Sequence, residues 1–296
     1  MKSTILVAGA TGNLGEKICR DLLGRGANVR AIVRAESEPA KVKALQDLDV
    51  SVVEANFADA SQLQSACSGV SCVVSALAGL DDVIITAQSQ LLNAAVQAGV
   101  PRFIPSDFCT DYTQLSEGDN RNFDFRKKFK TVIDDSAIKA TSIFNGAFSY
   151  VLQYGIPLFN FKDHTIAYYE GKADWKIDFT TLDDTAAFTA AAALDDESPR
   201  YLRVASFQVS PHDLATLSQQ LYGEPFQLVN GGTMEQFSAY NQKMRAENQE
   251  GETELYPKWQ QAQYLYSMFA AHHSSLDNSR YPDIRWSSAK EALQQK

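Results

Sequence analysis

Three glycines spaced three apart carry the first chemical signal in this chain. Thr4 to Ala8 is a short apolar, β-rich run. It leads into Gly9-Ala10-Thr11-Gly12-Asn13-Leu14-Gly15, and Glu16 to Leu23 then favours helix. In a strand–turn–helix unit such glycines divide three tasks: a tight turn, close approach to a pyrophosphate, and close packing of helix on strand. The helix then points its N–H groups and positive dipole end at the phosphate. Gly9, Thr11, Gly12, Asn13, Leu14 and Gly15 therefore form a candidate dinucleotide cradle. A second strand, Asn28 to Val33, ends at Arg34, 19 positions after Gly15. An NAD-selective site carries Asp or Glu near this place. A cation suits the adenosine 2′-phosphate instead, so the expected cofactor is NADP(H). Glu36 and Glu38 compete for Arg34. Lys43 either adds a second charge to the same phosphate or belongs to a solvated helix face.

The elements that must position these residues follow in alternation. Val50 to Ala55, Ser71 to Ala76, Arg102 to Pro105 and Thr141 to Phe144 read as further strands. Helices are expected over Ala60–Cys67, Asp82–Ala98 and Phe123–Asp135. Strands alternating with helices at this spacing indicate an α/β fold with a doubly wound parallel sheet. Ligands of such sheets sit beyond the strand carboxyl ends, at the switch point. This gathers the glycine turn, Arg34, Phe57, Ser75, Ala76, Pro105, Ser106, Asp107, Asn145 and Gly146 around one crevice.

The texture changes after residue 150. His164 to Tyr169 and Trp175 to Phe179, separated by Glu170-Gly171-Lys172, are expected to form a hairpin. Asp183 or Asp184 is expected to cap an alanine-rich helix, and Ser210-Pro211-His212-Asp213 is a strong helix start. The remainder is mostly helix, with Trp259, Tyr264, Tyr266 and Phe269 read as core rather than as a substrate box. The expected organisation is a dinucleotide-binding domain over 1–150 and a smaller α+β substrate region over 151–296, part of which packs back on the sheet.

Composition narrows the partners. At 296 residues, 45% hydrophobic and 21% charged, the chain has ordinary globular values and can bury a full core. A net charge of −9 with no basic stripe argues against nucleic acid. Cys19, Cys67, Cys72 and Cys109 show no C-x-x-C pair and read as buried free thiols. No apolar run approaches the length of a membrane span, and the first strand begins almost at residue 1. A cytoplasmic protein with a small-molecule substrate is expected. None of His164, His212, His272 and His273 belongs to a triad or metal set, and no metal is expected.

With G-A-T-G-N-L-G at 9–15, V-R at 33–34, V-V-S-A at 73–76 and P-S-D-F at 105–108, the chain resembles the NmrA-like proteins. These form an atypical branch of the short-chain dehydrogenases that also holds the isoflavone-reductase-like enzymes. The A-T-S-I-F-N-G-A-F run at 140–148 and the hairpin before the aspartate-capped helix add to the resemblance, which covers roughly residues 3–195. It implies a Rossmann-like NADP(H)-binding domain with a small C-terminal region over the crevice. Members are reductases of aromatic or carbonyl compounds, or redox-sensing regulators that bind the dinucleotide without turning it over. An NADPH-dependent reductase is the preferred expectation; a non-catalytic sensor acting on a protein partner is the alternative.

The Tyr-x-x-x-Lys pair of common short-chain dehydrogenases has one match, Tyr168 and Lys172, which lies in the expected hairpin where the two cannot share a helix face. The family's reductases instead place a lysine early in the helix before the sixth strand. That position is Arg126 here, with Lys127 and Lys128 following. Taking Phe125, Phe129, Val132 and Ile133 as the buried stripe, Arg126 and Lys128 border it and Lys127 points to solvent. Guanidinium can bind a ribose, carboxylate or carbonyl oxygen but is a poor proton donor. Other candidates at the crevice edge are Asp107, which either acts there or caps its loop, and Tyr112, which either reaches a substrate oxygen or packs. Asn145 is placed to touch the nicotinamide side, with Gly146 giving room.

Overall fold

A computed structural model describes residues 2–154 and 156–294. Strands β1 (Thr4–Ala8), β2 (Asn28–Val33), β3 (Ser51–Glu54), β4 (Cys72–Ser75), β5 (Arg102–Ile104) and β6 (Lys139–Ala140) form one parallel sheet in the order β3-β2-β1-β4-β5-β6. Ile5 lies opposite both Val29 and Cys72, and Val7 opposite Ala31 and Val74. A central parallel strand is covered on both faces, which is why β1 is apolar throughout rather than alternating. The pleat sends Ile5 and Val7 into one apolar cluster and Leu6 and Ala8 into another. The strand order reverses between β1 and β4, so the crevice opens at their carboxyl ends.

Helices α1 (Asn13–Gly24), α2 (Pro39–Asp47), α3 (Ala60–Cys67), α4 (Gln88–Gln97) and α5 (Arg121–Asp134) connect these strands. Residues 82–98 are helical as expected, but Asp82–Ala87 winds as a wider π-helical turn before α4 begins. Leu63, Leu91, Phe103, Phe129 and Ile133 fill one side of the sheet. The other side is filled by Ile18 and Leu22 of α1 and by α6 (Leu182–Leu194). Helix α6 buries Ala186, Phe188 and Ala190 to Ala193 nearly all round, and its small side chains let it seat closely on α1. Buried Arg102 of β5 donates to the carbonyls of Ala192 (2.7 Å) and Ala193 (3.1 Å). That satisfies the end of α6 with a charge of the favourable sign.

Three expectations are corrected here. The sixth strand does not run unbroken over Thr141–Phe144. Only β6 joins the main sheet, and β7 (Ser142–Phe144) pairs in parallel with β11 (Tyr201–Arg203). The hairpin does not form. Strand β9 (Thr165–Tyr168) pairs with β13 (Gln227–Asn230), whereas β10 (Ile177–Thr180) lies between β8 (Ala147–Phe148) and β12 (Phe207–Val209). Alternation in the sequence specifies a strand and a buried face, not its partner. Finally, Thr181 caps α6 by accepting from the Asp184 N–H, while Asp183 and Asp184 fill the first turn.

The remaining helices are α7 (Pro211–Tyr222), α8 (Met234–Glu247), α9 (Lys258–Ala270) and α10 (Ala289–Gln294). Ser210 and Asp213 form the reciprocal capping box that starts α7. Phe159, Phe179, Phe226, Phe237, Leu265 and Phe269 build a separate core beneath these helices. Among the described residues no helix is long and apolar enough to cross a membrane. The four cysteines are free and buried.

Candidate functional site

The glycine turn sits at the switch point. Gly9 has φ +82°, and a Cβ there would stand 2.5 Å from the Ala76 carbonyl oxygen beyond β4. A Cβ on Gly15 would stand 2.2 Å from the Gly9 carbonyl oxygen. Both positions admit only glycine, one for backbone conformation and closeness, the other for closeness alone. Gly12 is different: it is exposed, it is the N-cap of α1, and no side chain caps that helix. Asn13, exposed, and Leu14, packed on the core, begin the helix, and Thr11 is half-buried beside them. Phe57 packs on the opposite cluster beyond β3. Ser75 closes β4, fully buried, with no partner for its hydroxyl among the described residues.

At the tip of β2, Arg34 is solvent-exposed and pairs with Glu36 at 3.4 Å, the competitor expected from the sequence. Lys43 lies on α2 and donates to Asp47 at 2.9 Å along its own helix.

The end of β5 carries the densest polar set. Pro105 leads to Ser106, whose N–H donates to the buried Gln88 side chain (3.0 Å) and whose hydroxyl donates to the Leu77 carbonyl. Asp107 accepts from the Tyr112 hydroxyl (2.9 Å) and the Ser142 hydroxyl (2.7 Å) through Oδ2. Burial raises the Asp107 carboxyl above its ordinary range, and Ser142, Arg126, Tyr112 and Arg200 pull it back. Burial and the Asp107 charge push the Tyr112 phenol well up. Tyr112 is 0% exposed and turned onto Asp107. The structure therefore brings these two candidates together as an interior pair that braces the loop after β5. Asn145 follows β7, donates to the Thr185 hydroxyl at 3.2 Å, and keeps its own Oδ1 without a partner among the described residues. Gly146, at φ +64°, presses against Asp178.

Helix α5 starts at Asn120, which accepts from the Phe123 N–H. Arg126 donates through Nε to the Ser106 carbonyl and through Nη1 to the Asn122 carbonyl, both at 3.0 Å. Burial works against its charge, but Cys109, Tyr264, Asp107 and Tyr256 more than offset this, so its pKa is raised. The helical-wheel expectation for its neighbours is corrected. Lys127 is not turned to solvent: it donates to the Leu115 and Ser116 carbonyls and pairs with Asp124 at 3.3 Å. Lys128 is the exposed one, as is Val132, which the expected stripe includes. The loop of 115–116 folds over that helix face and gives it carbonyl acceptors that no periodicity reveals.

Tyr168 and Lys172 take no part. Lys172 donates to the Phe269 carbonyl and lies 3.9 Å from the centre of the Trp175 ring. Among the described residues no group of His, Cys, Asp and Glu could hold a metal ion.

The NmrA-like family model matches residues 1–281. The chain belongs to the NmrA-like family. Curated relatives include a probable pinoresinol-lariciresinol reductase 3 of Arabidopsis thaliana, 26% identical over 99% of this chain and 97% of that protein. An isoflavone reductase homolog, IRL, of Zea mays is 30% identical over 76% of each. Among solved structures, AtPrR2 with NADP+ and (+)pinoresinol superposes with a TM-score of 0.79 at 25% identity, covering 99% of this chain and 98% of that one. An isoflavone reductase shares the fold at a TM-score of 0.82, with 21% identity and 99% of both chains covered. The Rossmann-like α/β fold expected from the sequence is therefore that of these relatives.

Within this NmrA-like frame, sequence reasoning missed three residues around Arg126. Gln88 fixes Ser106, Asn122 fixes Arg126, and Tyr264 accepts from the Asn122 amide at 3.0 Å. Gln88 carried one signal, an amide side chain on a helix face otherwise apolar, whereas Asn122 holds Arg126 through its backbone carbonyl, which no side-chain pattern announces. The sequence places Tyr264 in the core, and its ring is indeed half-buried, but its hydroxyl is directed at α5.

Proposed function

We propose that this chain is an NADPH-dependent reductase of a small aromatic, carbonyl or enone compound. One arrangement carries the reading. The Arg126 guanidinium is fixed on Ser106 at the carboxyl end of β5, beside a phenol and in the crevice that the glycine turn opens. The residues present suit the cofactor. Gly12 leaves the N-terminus of α1 open to a pyrophosphate. Ser75 Oγ and Asn145 Oδ1 are buried, unpaired polar atoms at strand ends among the described residues. Each such atom costs about 1–3 kcal/mol if left unmade, and ribose hydroxyls and a carboxamide are the complementary groups. Arg34 supplies the cation for the 2′-phosphate. Its pairing with Glu36, with both side chains 68% exposed, contributes at most about 1 kcal/mol and is readily displaced by a phosphate dianion. Lys43, whose pair with Asp47 is as exposed as that of Arg34, is a second cation on the same terms.

Bound there, NADPH supplies a hydride. The chain's own work is binding and electrostatics. The first turn of α1 would hold the pyrophosphate and Arg34 the adenosine phosphate. Arg126 remains charged and stabilises the negative charge that develops on a substrate oxygen. The aromatic residues Tyr264 and Tyr256, with ring centres 6.2 Å apart, offer stacking surface to a ring-bearing substrate, as suits relatives named for pinoresinol and isoflavones.

The test is a panel of aromatic aldehydes, enones and quinones, with NADPH consumption followed optically; turnover of at least one member is expected. The arginine in place of the family lysine favours a second reading, a non-catalytic NADP(H) sensor acting on a protein partner. That reading is preferred if wild type and Arg126→Lys bind NADPH yet oxidise it with nothing offered.

A further inference from the structure

Arg126 can hold an oxygen but scarcely protonate it, so a reductase built on it needs a proton from another group. Tyr264 and Arg126 are both hung on Asn122. Its side-chain amide donates to the Tyr264 hydroxyl oxygen, and its backbone carbonyl accepts from Arg126 Nη1, each at 3.0 Å. The Tyr264 ring stands edge-on to Phe123 at 5.2 Å, so its position is set by packing as well as by the bond. Because its oxygen already accepts from Asn122, the O–H is left to donate, and it has no acceptor among the described residues. Tyr256, at 56% exposure, flanks it with ring centres 6.2 Å apart, and its hydroxyl bonds nothing among the described residues.

We propose that Tyr264 is the proton donor of the reduction and that Arg126 stabilises the phenolate it leaves. The proposal rests on the reductase reading above. In the step, the carbonyl carbon gains a hydride from NADPH and the C=O electron pair moves to oxygen. The Tyr264 O–H bond breaks as that oxygen takes its proton. The carbonyl becomes an alcohol, the two electrons come from NADPH, and the phenolate is reprotonated by solvent. Burial pushes the Tyr264 phenol up to about 12, and the Arg126 charge pulls it down. The group is therefore protonated at neutral pH, with a cation at hand for its conjugate base.

Tyr264→Phe keeps the ring, and Asn122 keeps its second acceptor, the Leu255 carbonyl at 3.0 Å, so the fold is expected to stand. With a substrate that the wild type turns over, this variant should lose about a hundredfold or more in kcat with NADPH affinity unchanged. Tyr266→Phe, whose ring packs on Phe237, should match wild type. A readout without cofactor or substrate is the titration of ring-labelled Tyr264 by NMR, assigned by its absence in Tyr264→Phe. Its ionisation should move to higher pH in Arg126→Met, because the cation that lowers it is gone. Wild-type kcat in Tyr264→Phe, or an unmoved titration in Arg126→Met, overturns the assignment while leaving the reductase reading intact. Absence of turnover in the wild type across the panel overturns both.

Discussion

Arg126 shows how one substitution separates binding from proton transfer. It reaches Ser106 and Asn122 with two of its N–H groups, a fork that a lysine ammonium on a flexible stem does not reproduce. Arg126→Met removes both contacts and the charge, and should lower turnover by about 1.4 kcal/mol or more, a factor of ten per such step. Arg126→Lys should retain or raise activity on a carbonyl or enone, since it restores the family's donor; steady-state kinetics on both variants decide this. A rate in Arg126→Met equal to wild type would remove Arg126 from the chemistry. Arg34 makes a separate case. A charge-assisted phosphate contact is worth about 1.5–3 kcal/mol, so Arg34→Ala should collapse a preference for NADPH over NADH of roughly tenfold or more. Calorimetry with both dinucleotides measures it, and equal wild-type affinities would sink the cofactor assignment.

At the scale of elements, helix α5 ties the site to its cover. Buried Arg121, in its first turn, donates to the carbonyls of Gly251, Glu252, Glu254 and Leu255. Its guanidinium also lies 4.6 Å from the centre of the Trp259 ring. Arg121→Ala leaves those carbonyls without their donor and frees the segment that carries Tyr256. It should cost about 3 kcal/mol or more of stability, the penalty for breaking a buried, multiply bonded charge, and should shift Trp259 fluorescence to the red. Denaturant unfolding with unchanged midpoint would show the clamp to be slack. Much of this architecture is legible in the sequence. β1, α1 and β2 announce themselves because strand, turn and helix signals lie adjacent in the chain, and Gly9 and Gly15 are dictated by backbone contact. What is not legible depends on partners distant in the chain. Thr165–Tyr168 and Ile177–Thr180 look like a hairpin because alternation is local, yet they pair with β13 and with β8 and β12. Lys127 looks solvated because the carbonyls of Leu115 and Ser116 that receive it come from a loop without a periodic pattern. Tyr264 looks like core because a phenol's ring is apolar while its polar chemistry lies in one atom at the tip.

Across the whole molecule, a polar seam joins the sheet region to the chain's last third. Arg203 bonds the Asp111 carboxylate at 2.8 Å, and its N–H donates to Asp277 at 2.8 Å. Gln208 donates to Asp178 and to the His273 carbonyl, and the His273 N–H donates to Asp178 at 2.7 Å. His273 is 2% exposed, and neither of its ring nitrogens has a hydrogen-bond partner among the described residues. Burial lowers its pKa from 6.5, with Asp178 and Asp111 opposing and Arg203 and His272 assisting. Folding therefore favours neutral His273. Above pH 6.5 neither state is protonated there and the contribution is complete. As pH falls through 6.5 the unfolded chain takes up a proton that the folded chain refuses, and stability drops until the lowered folded value is reached. One such group has a limiting slope of about 1.4 kcal/mol per pH unit. His273→Gln keeps the backbone bond to Asp178 and removes the titration, so its melting temperature should fall less between about pH 7 and pH 5 than that of wild type. Thermal melts across that range measure the difference. Parallel curves for the two proteins would mean that His273 does not carry the acid sensitivity of this seam.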